Sequence, residues 1–292
     1  MPVPGSPTSL PVFPFPEPAA RALAVAHRYA VLRDRPVGGV VSPDGLDRDG
    51  VRKLVDELLS DSPADGDGRW LTAAESADIL HGYGIRVCDQ GLAASATEAV
   101  AAAVKIGFPV ALKIARGDVV HKTEVGGVNL GLADELAVAE AYVRVVTACG
   151  DDDPRVLVQQ MLPTGAELIV GAVQDQQFGP VVMLGAGGVL SDLLADRTFR
   201  IMPLTDSDAA DMIDRLRMSP LLDGFRGRPI VSRDAVRDLL HRVAAMVEDM
   251  TQIAELDLNP VVCIGADVVA VDAKIRLAPA AARPDTLVRQ LH

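Results

Sequence analysis

Apolar and polar positions fall into two textures along the chain. Residues 1–18 carry prolines at positions 2, 4, 7, 11, 14, 16 and 18. That density excludes a helix or a central strand and predicts an extended run. Helical spacing then predicts helices over 19–35 and 46–60, the second with Asp47 and Asp49 in its first turn. A polar break, DSPADGDG at 61–68, reads as a linker. From Trp70 onward helices alternate with short apolar strands. Thr72 caps a helix over 73–83, with Glu75 completing a capping box and Gly84 stopping it. Ser95 and Gly107 bracket a helix over 96–106. Strands are predicted over 109–115, 128–132, 155–162, 167–175 and 180–185, and helices over 134–147, 206–217 and 232–249. A terminal pair, IAELDLNPVVCI and VVAVDAKI, is separated by a turn containing Gly265. Strands that follow one another without helices, mixed with βα units, predict an α+β fold rather than a doubly wound parallel sheet.

Composition narrows what such a fold does. With 292 residues, 49% hydrophobic and 23% charged, the chain can bury a sizeable core and is not disordered. Its net charge of −12 and 3% aromatic content argue against a nucleic-acid partner. Anionic ligands remain open where a few cations and backbone N–H groups converge. Three cysteines, Cys88, Cys149 and Cys263, share no short spacing and give neither a disulfide framework nor a zinc set. No signal peptide or membrane span is read, so the expected location is cytoplasmic.

Four segments carry candidate chemistry. Lys113 stands alone in the apolar strand PVALKIA, where its ammonium must reach water or an anion; an edge or snorkelling lysine answers the same pattern. GDVVHKTEVGGV at 117–128 couples His121 with Gly126 and Gly127, whose backbone can turn N–H groups toward a ligand, although a solvated loop histidine also fits. LGAGGVLSD at 184–192 lacks both the third glycine of a dinucleotide fingerprint and the Gly-Lys-Ser/Thr of a Walker loop. It delivers Gly187 and Gly188 in a close-approach turn, with Asp192 and Asp196 beside it as metal or phosphate candidates. A purely structural turn is the alternative. In LDLNP…VVAVDAK, strand alternation sets Asp257 and Asn259 on one face and Leu256 and Leu258 on the other. Asp272 on the partner strand can join them, an oxygen set suited to Mg²⁺.

Together the runs PVALKI, GDVVHKTEVGGV, QFGPVVMLGAGGV, FRIMPLT and ELDLNPVV…AVDAKI resemble the ATP-grasp domain of ADP-forming acyl-CoA synthetases, in the succinyl-CoA synthetase superfamily. The resemblance covers about residues 70–277. It implies two α+β subdomains, the small one about 90–160 and the large one about 69–89 plus 161–280. An N-terminal linker with connecting helices (1–68) would precede them and a tail (281–292) follow. It also implies an ATP/ADP site with Mg²⁺. Lys113 would bind phosphate oxygens, the segment Gln159, Gln160, Met161 and Leu162 would receive the adenine, largely through backbone groups, and Glu167 would meet a polar group of the nucleotide. Gly126, Gly127, Gly187 and Gly188 would line the site, and Asn259 and Asp272 would hold the metal. His121 matches a loop histidine placed for phosphoryl relay, with Asp192 and Asp257 orienting that histidine or the metal.

Asp192 departs from the family, which has a glutamate after the glycine turn. The CoA-binding Rossmann-type domain and the principal phosphohistidine domain are not in this sequence, and Phe13 to Arg35 is similar to the linker that follows them in fused members. The expected partners are therefore those domains, as a subunit or as the rest of a longer chain, with homo- or hetero-oligomerisation open. Two rivals remain: an ATP-grasp carboxylate–amine ligase, and a non-catalytic nucleotide-sensing module.

Overall fold

A computed structural model describes residues 11–60, 68–115, 127–149, 155–188, 195–227 and 229–280. His121, Gly126 and Asp192 lie outside the described residues. Contacts divide the chain into two units, Met1–Gly38 and Gly39–His292. In the first, α1 (Pro16–Arg33) begins inside the stretch read as extended. Pro16 and Pro18 sit in its first turn, where an absent N–H breaks no helical bond.

In the second unit, α2 (Arg48–Ser60) buries Val51 and Val55. Arg48 and Tyr83 both donate to Oδ2 of Asp249, at 2.7 and 3.0 Å, tying α2 to the helices that follow. The second unit starts at Gly39, and α2, one of the connecting helices read in the sequence, presents an apolar stripe to the large core.

Four strands, β2 (Gln90–Ala93), β3 (Val110–Ile114), β4 (Val128–Leu132) and β5 (Val156–Gln160), form an antiparallel sheet in the order β2-β5-β3-β4. Val110, Leu112, Ile114, Val156 and Val158 pack against α4 (Ala96–Ile106) and α5 (Glu135–Cys149). Strand alternation therefore turns Ala111, Lys113, Leu157 and Gln159 to the opposite face.

The larger sheet has seven strands. They are β1 (Arg69–Trp70), β6 (Ala166–Asp175), β7 (Gly179–Ala186), β8 (Arg197–Ile201), β9 (Ile253–Ile264), β10 (Asp267–Ala270) and β11 (Ala273–Leu277). Their order is β1-β11-β9-β6-β7-β8, with β10 also on β9, and every described strand pair in both sheets is antiparallel. One face packs against α2, α3 (Ala73–Gly82), α6 (Asp206–Asp214), α7 (Ser219–Leu222) and α8 (Arg233–Asp249) around Leu168, Val170, Leu184, Leu256 and Leu258. The fold is thus α+β, with helices on one face of each sheet.

Three departures from the sequence reading matter. Strand β8 lies in a segment with no predicted element; its Arg200 is ion-paired with Asp208 and Asp211 of α6, which places charge on a half-buried edge and hides the strand signal. The predicted helix over 206–217 ends at Asp214. The segment VVAVDAKI is two strands, because the chain bends at Val271 and Asp272.

Candidate functional site

The open face of the large sheet carries a cavity of about 500 Å³ lined by Glu167 and Ile169 of β6, Met183 and Gly185 of β7, Gly188, Arg197 of β8, and Asp257, Asn259 and Pro260 of β9. Three of the predicted site residues, Glu167, Asp257 and Asn259, therefore share one cavity with one of the predicted glycines.

Glu167 is held by the glycine turn. Gly187 N–H donates to Glu167 O at 2.8 Å. A Cβ on Gly187 would lie 2.8 Å from the Glu167 carbonyl carbon, and one on Gly188 (φ 71°) would lie 2.9 Å from Glu167 Oε2. The turn thus needs glycine for close approach and, at Gly188, for left-handed backbone. Asp196, a metal or phosphate candidate in the sequence, is otherwise engaged: its two oxygens accept from Arg217 N and Met218 N, each at 2.9 Å, and it is buried.

Asp257 and Asn259 both point away from the core, as alternation required. In register, Asp257 lies between Gly171 of β6 and Lys274 of β11. Burial raises its pKa, Lys274 opposes that, and Asp272 and Glu255 add to the rise. Asp272 sits at the bend rather than within a strand. Asn259 N–H donates to Asp272 O at 3.0 Å, so the two candidate metal ligands adjoin, both exposed. The described residues hold no cluster of three or more His, Cys, Asp or Glu that could bind a metal. An amide and a carboxylate oxygen still fit Mg²⁺, which takes few protein ligands and fills its octahedron with phosphate oxygens and water.

Lys113 stands on the small sheet and is not among the residues that line the cavity. It is half-buried, between Leu157 and Val128 in register. Beside it on the same open face, Gln159 is only 2% exposed and donates from Nε2 to Val271 O at 2.7 Å, in the bend that carries Asp272. Cys88 donates to the same carbonyl at 3.4 Å. Burial pushes the Cys88 thiol up to about 11; Lys113 pulls it down and Asp272 pushes it up, so both charges act on one buried sulfur. This knot joins the two sheets. Gln159 opens the segment read from the sequence as the adenine hinge, but its side chain is spent on this knot rather than left for a base.

The hinge after β5 is partly committed. Gln160 N–H donates to Asp89 O at 2.8 Å, Met161 N–H to Pro109 O at 3.3 Å, and Met161 Sδ accepts from Gly131 N–H at 2.9 Å. Leu162 N–H has no such partner among the described residues, so it and the hinge carbonyls are the groups left for a base. Gly127 O accepts from Ile114 N–H at 2.9 Å, continuing the β3–β4 pairing beside Lys113.

A cation and oxygen ligands in a glycine-edged cavity suit a nucleotide phosphate chain. A family model described as the ATP-grasp domain matches residues 63–277. The chain belongs to the ATP-grasp family. Over 275 residues this ATP-grasp chain is 34% identical to an acetate–CoA ligase [ADP-forming] I of Archaeoglobus fulgidus, covering 92% of the chain but 39% of that protein. Over 219 residues it is 35% identical to the acetate–CoA ligase [ADP-forming] I subunit beta of Pyrococcus furiosus, covering 73% of the chain and 94% of the subunit. It also superimposes, with a TM-score of 0.67 and 38% identity over 78% of the chain and 99% of the other, on the dinucleotide-forming acetyl-coenzyme A synthetase 1 of Ca. Korarchaeum cryptofilum. That protein was solved with coenzyme A and Mg-AMPPCP, its phosphohistidine segment pointing towards the nucleotide binding site. No helix among the described residues of the ATP-grasp chain is long and apolar enough to cross a membrane.

Proposed function

We propose that this chain is the nucleotide-binding component of an ADP-forming acyl-CoA synthetase. It would move a phosphoryl group between ATP or ADP and a histidine relay, while CoA-binding and phosphohistidine partner domains interconvert acyl-CoA and free acid. The observation that carries this reading is the knot in which Gln159, on the same sheet face as Lys113, holds Val271 O beside the adjoining Asn259 and Asp272, in a chain that matches a beta subunit over 94% of its length.

The roles follow from the groups present. Lys113 offers a cation to phosphate oxygens from one sheet; Asn259 and Asp272 would hold Mg²⁺ on the other. A bound Mg²⁺ supplies charge neutralisation between the terminal phosphates. Glu167, fixed by Gly187 and Gly188, accepts hydrogen bonds from the nucleoside side of the cavity, and the hinge of Gln160, Met161 and Leu162 receives the base. Gly126 and Gly127 would bring backbone N–H groups to the phosphates. His121 would accept the phosphoryl group, with Asp257 and Asp192 orienting it or the metal ligands. Two buried free thiols, Cys88 and Cys263, accord with a cytoplasmic protein.

His121→Ala tests the relay. In an enzyme assembled with its CoA-binding partner domains, Mg-ATP binding stays near wild type while transfer is abolished. Collapse of nucleotide affinity with transfer per bound nucleotide retained would remove the relay from the reading.

A further inference from the structure

The cavity holds a charge that the roles above leave unused. Of its lining residues Glu167 and Asp257 are acidic, and Arg197 is the single cation among them. Arg197 is exposed and forms no ion pair with a described residue, although carboxylates line the same cavity. Its position is built. In register Arg197 faces Gly185 across β7 and β8, and a Cβ on Gly185 would come within 3.3 Å of Arg197 Cγ. The bare glycine lets the arginine stem lie close over β7.

The sheet register says what the guanidinium meets. Arg197 pairs with Gly185, Gly185 with Ile169, and Ile169 falls at the irregularity where β6 passes Asn259 and Pro260. Arg197 and the metal-ligand candidate Asn259 thus end one row across four strands, three interstrand spacings or about 14 Å apart at the backbone. Glu167 lies farther along β6, at the glycine turn. The row with Asn259 is the one nearest a metal held by that residue, which would neutralise charge on the terminal phosphates.

We propose that Arg197 is a phosphate-binding residue of this site, its guanidinium receiving oxygens of the nucleotide's terminal phosphoryl group from the end of the row opposite Asn259. This rests on the nucleotide-binding reading above. A planar guanidinium suits phosphate oxygens bidentately and strengthens as charge gathers on them.

Calorimetric titration of the full chain with Mg-ATP, Mg-ADP and AMP tests it, using wild type, Arg197→Met and Arg197→Lys. In Arg197→Met, affinity for Mg-ATP falls about tenfold or more, for Mg-ADP by less, and for AMP by under about twofold. Arg197→Lys retains part of the Mg-ATP affinity, and both variants melt with wild type because the side chain is exposed. An equal loss for all three nucleotides, or no loss, overturns the proposal and leaves the nucleotide site standing. A wild-type chain that binds none of them overturns the reading beneath it as well.

Discussion

Gln159→Met removes one hydrogen bond, but at the point where the two sheets meet. The glutamine is 2% exposed and donates at 2.7 Å to Val271 O. Methionine has nearly the same volume, so no cavity is added and the cost is that of a buried carbonyl losing its donor, about 1–3 kcal/mol. Val271 O keeps the Cys88 thiol at 3.4 Å, a weak donor, which sets the expectation in the lower half, about 1–2 kcal/mol. At roughly 2–4 °C per kcal/mol for a chain of this size, the melting temperature falls by about 2–8 °C. Urea denaturation with an unchanged slope measures the free energy directly. Because Asp272 follows Val271, the Mg²⁺ concentration needed for half-maximal nucleotide binding also rises. A variant within about 0.3 kcal/mol of wild type, with the same Mg²⁺ dependence, would refute the claim that this bond holds the bend that carries Asp272.

Two further outcomes follow. The Asp257 pKa is raised in the folded chain by burial and by Asp272 and Glu255, so its contribution to stability is present below the unfolded value and lost as pH rises through the folded one. Asp257→Asn should therefore melt above wild type at neutral pH, with the gap closing as pH falls toward 4; thermal melts that coincide across the range contradict this. Lys113→Met should weaken Mg-ATP binding by about tenfold or more in calorimetry, through loss of a charge-assisted bond to phosphate, with melting little changed.

Some of this was legible in the residues alone. Ser95 and Gly107 mark the ends of α4 because a hydroxyl cap and a positive-φ glycine act locally: Ser95 Oγ accepts from Glu98 N–H, and Gly107 has φ 95°. The Thr72–Glu75 capping box formed for the same reason. Asp257 and Asn259 share a face because strand alternation is a property of the backbone. What required three dimensions was long-range. Gln159 reaches Val271 over 112 positions. Asp196 spends its charge on backbone 21 and 22 residues away. Arg197 belongs to the site only through the β6–β7–β8 register, since nothing in RTFRI distinguishes the cavity arginine from Arg200, which pairs with α6. The bend at Asp272 was hidden because VVAVDAKI reads as one strand, apolar before Asp272 and alternating after it.

The most direct measurement is calorimetric binding of ATP, ADP, GTP and CoA to the full chain, each with and without Mg²⁺. A nucleotide-binding component whose CoA chemistry belongs to partner domains binds ATP and ADP in an Mg²⁺-dependent manner and leaves CoA unbound. CoA binding by this chain alone, or no Mg²⁺-dependent binding of either adenine nucleotide, would contradict the account.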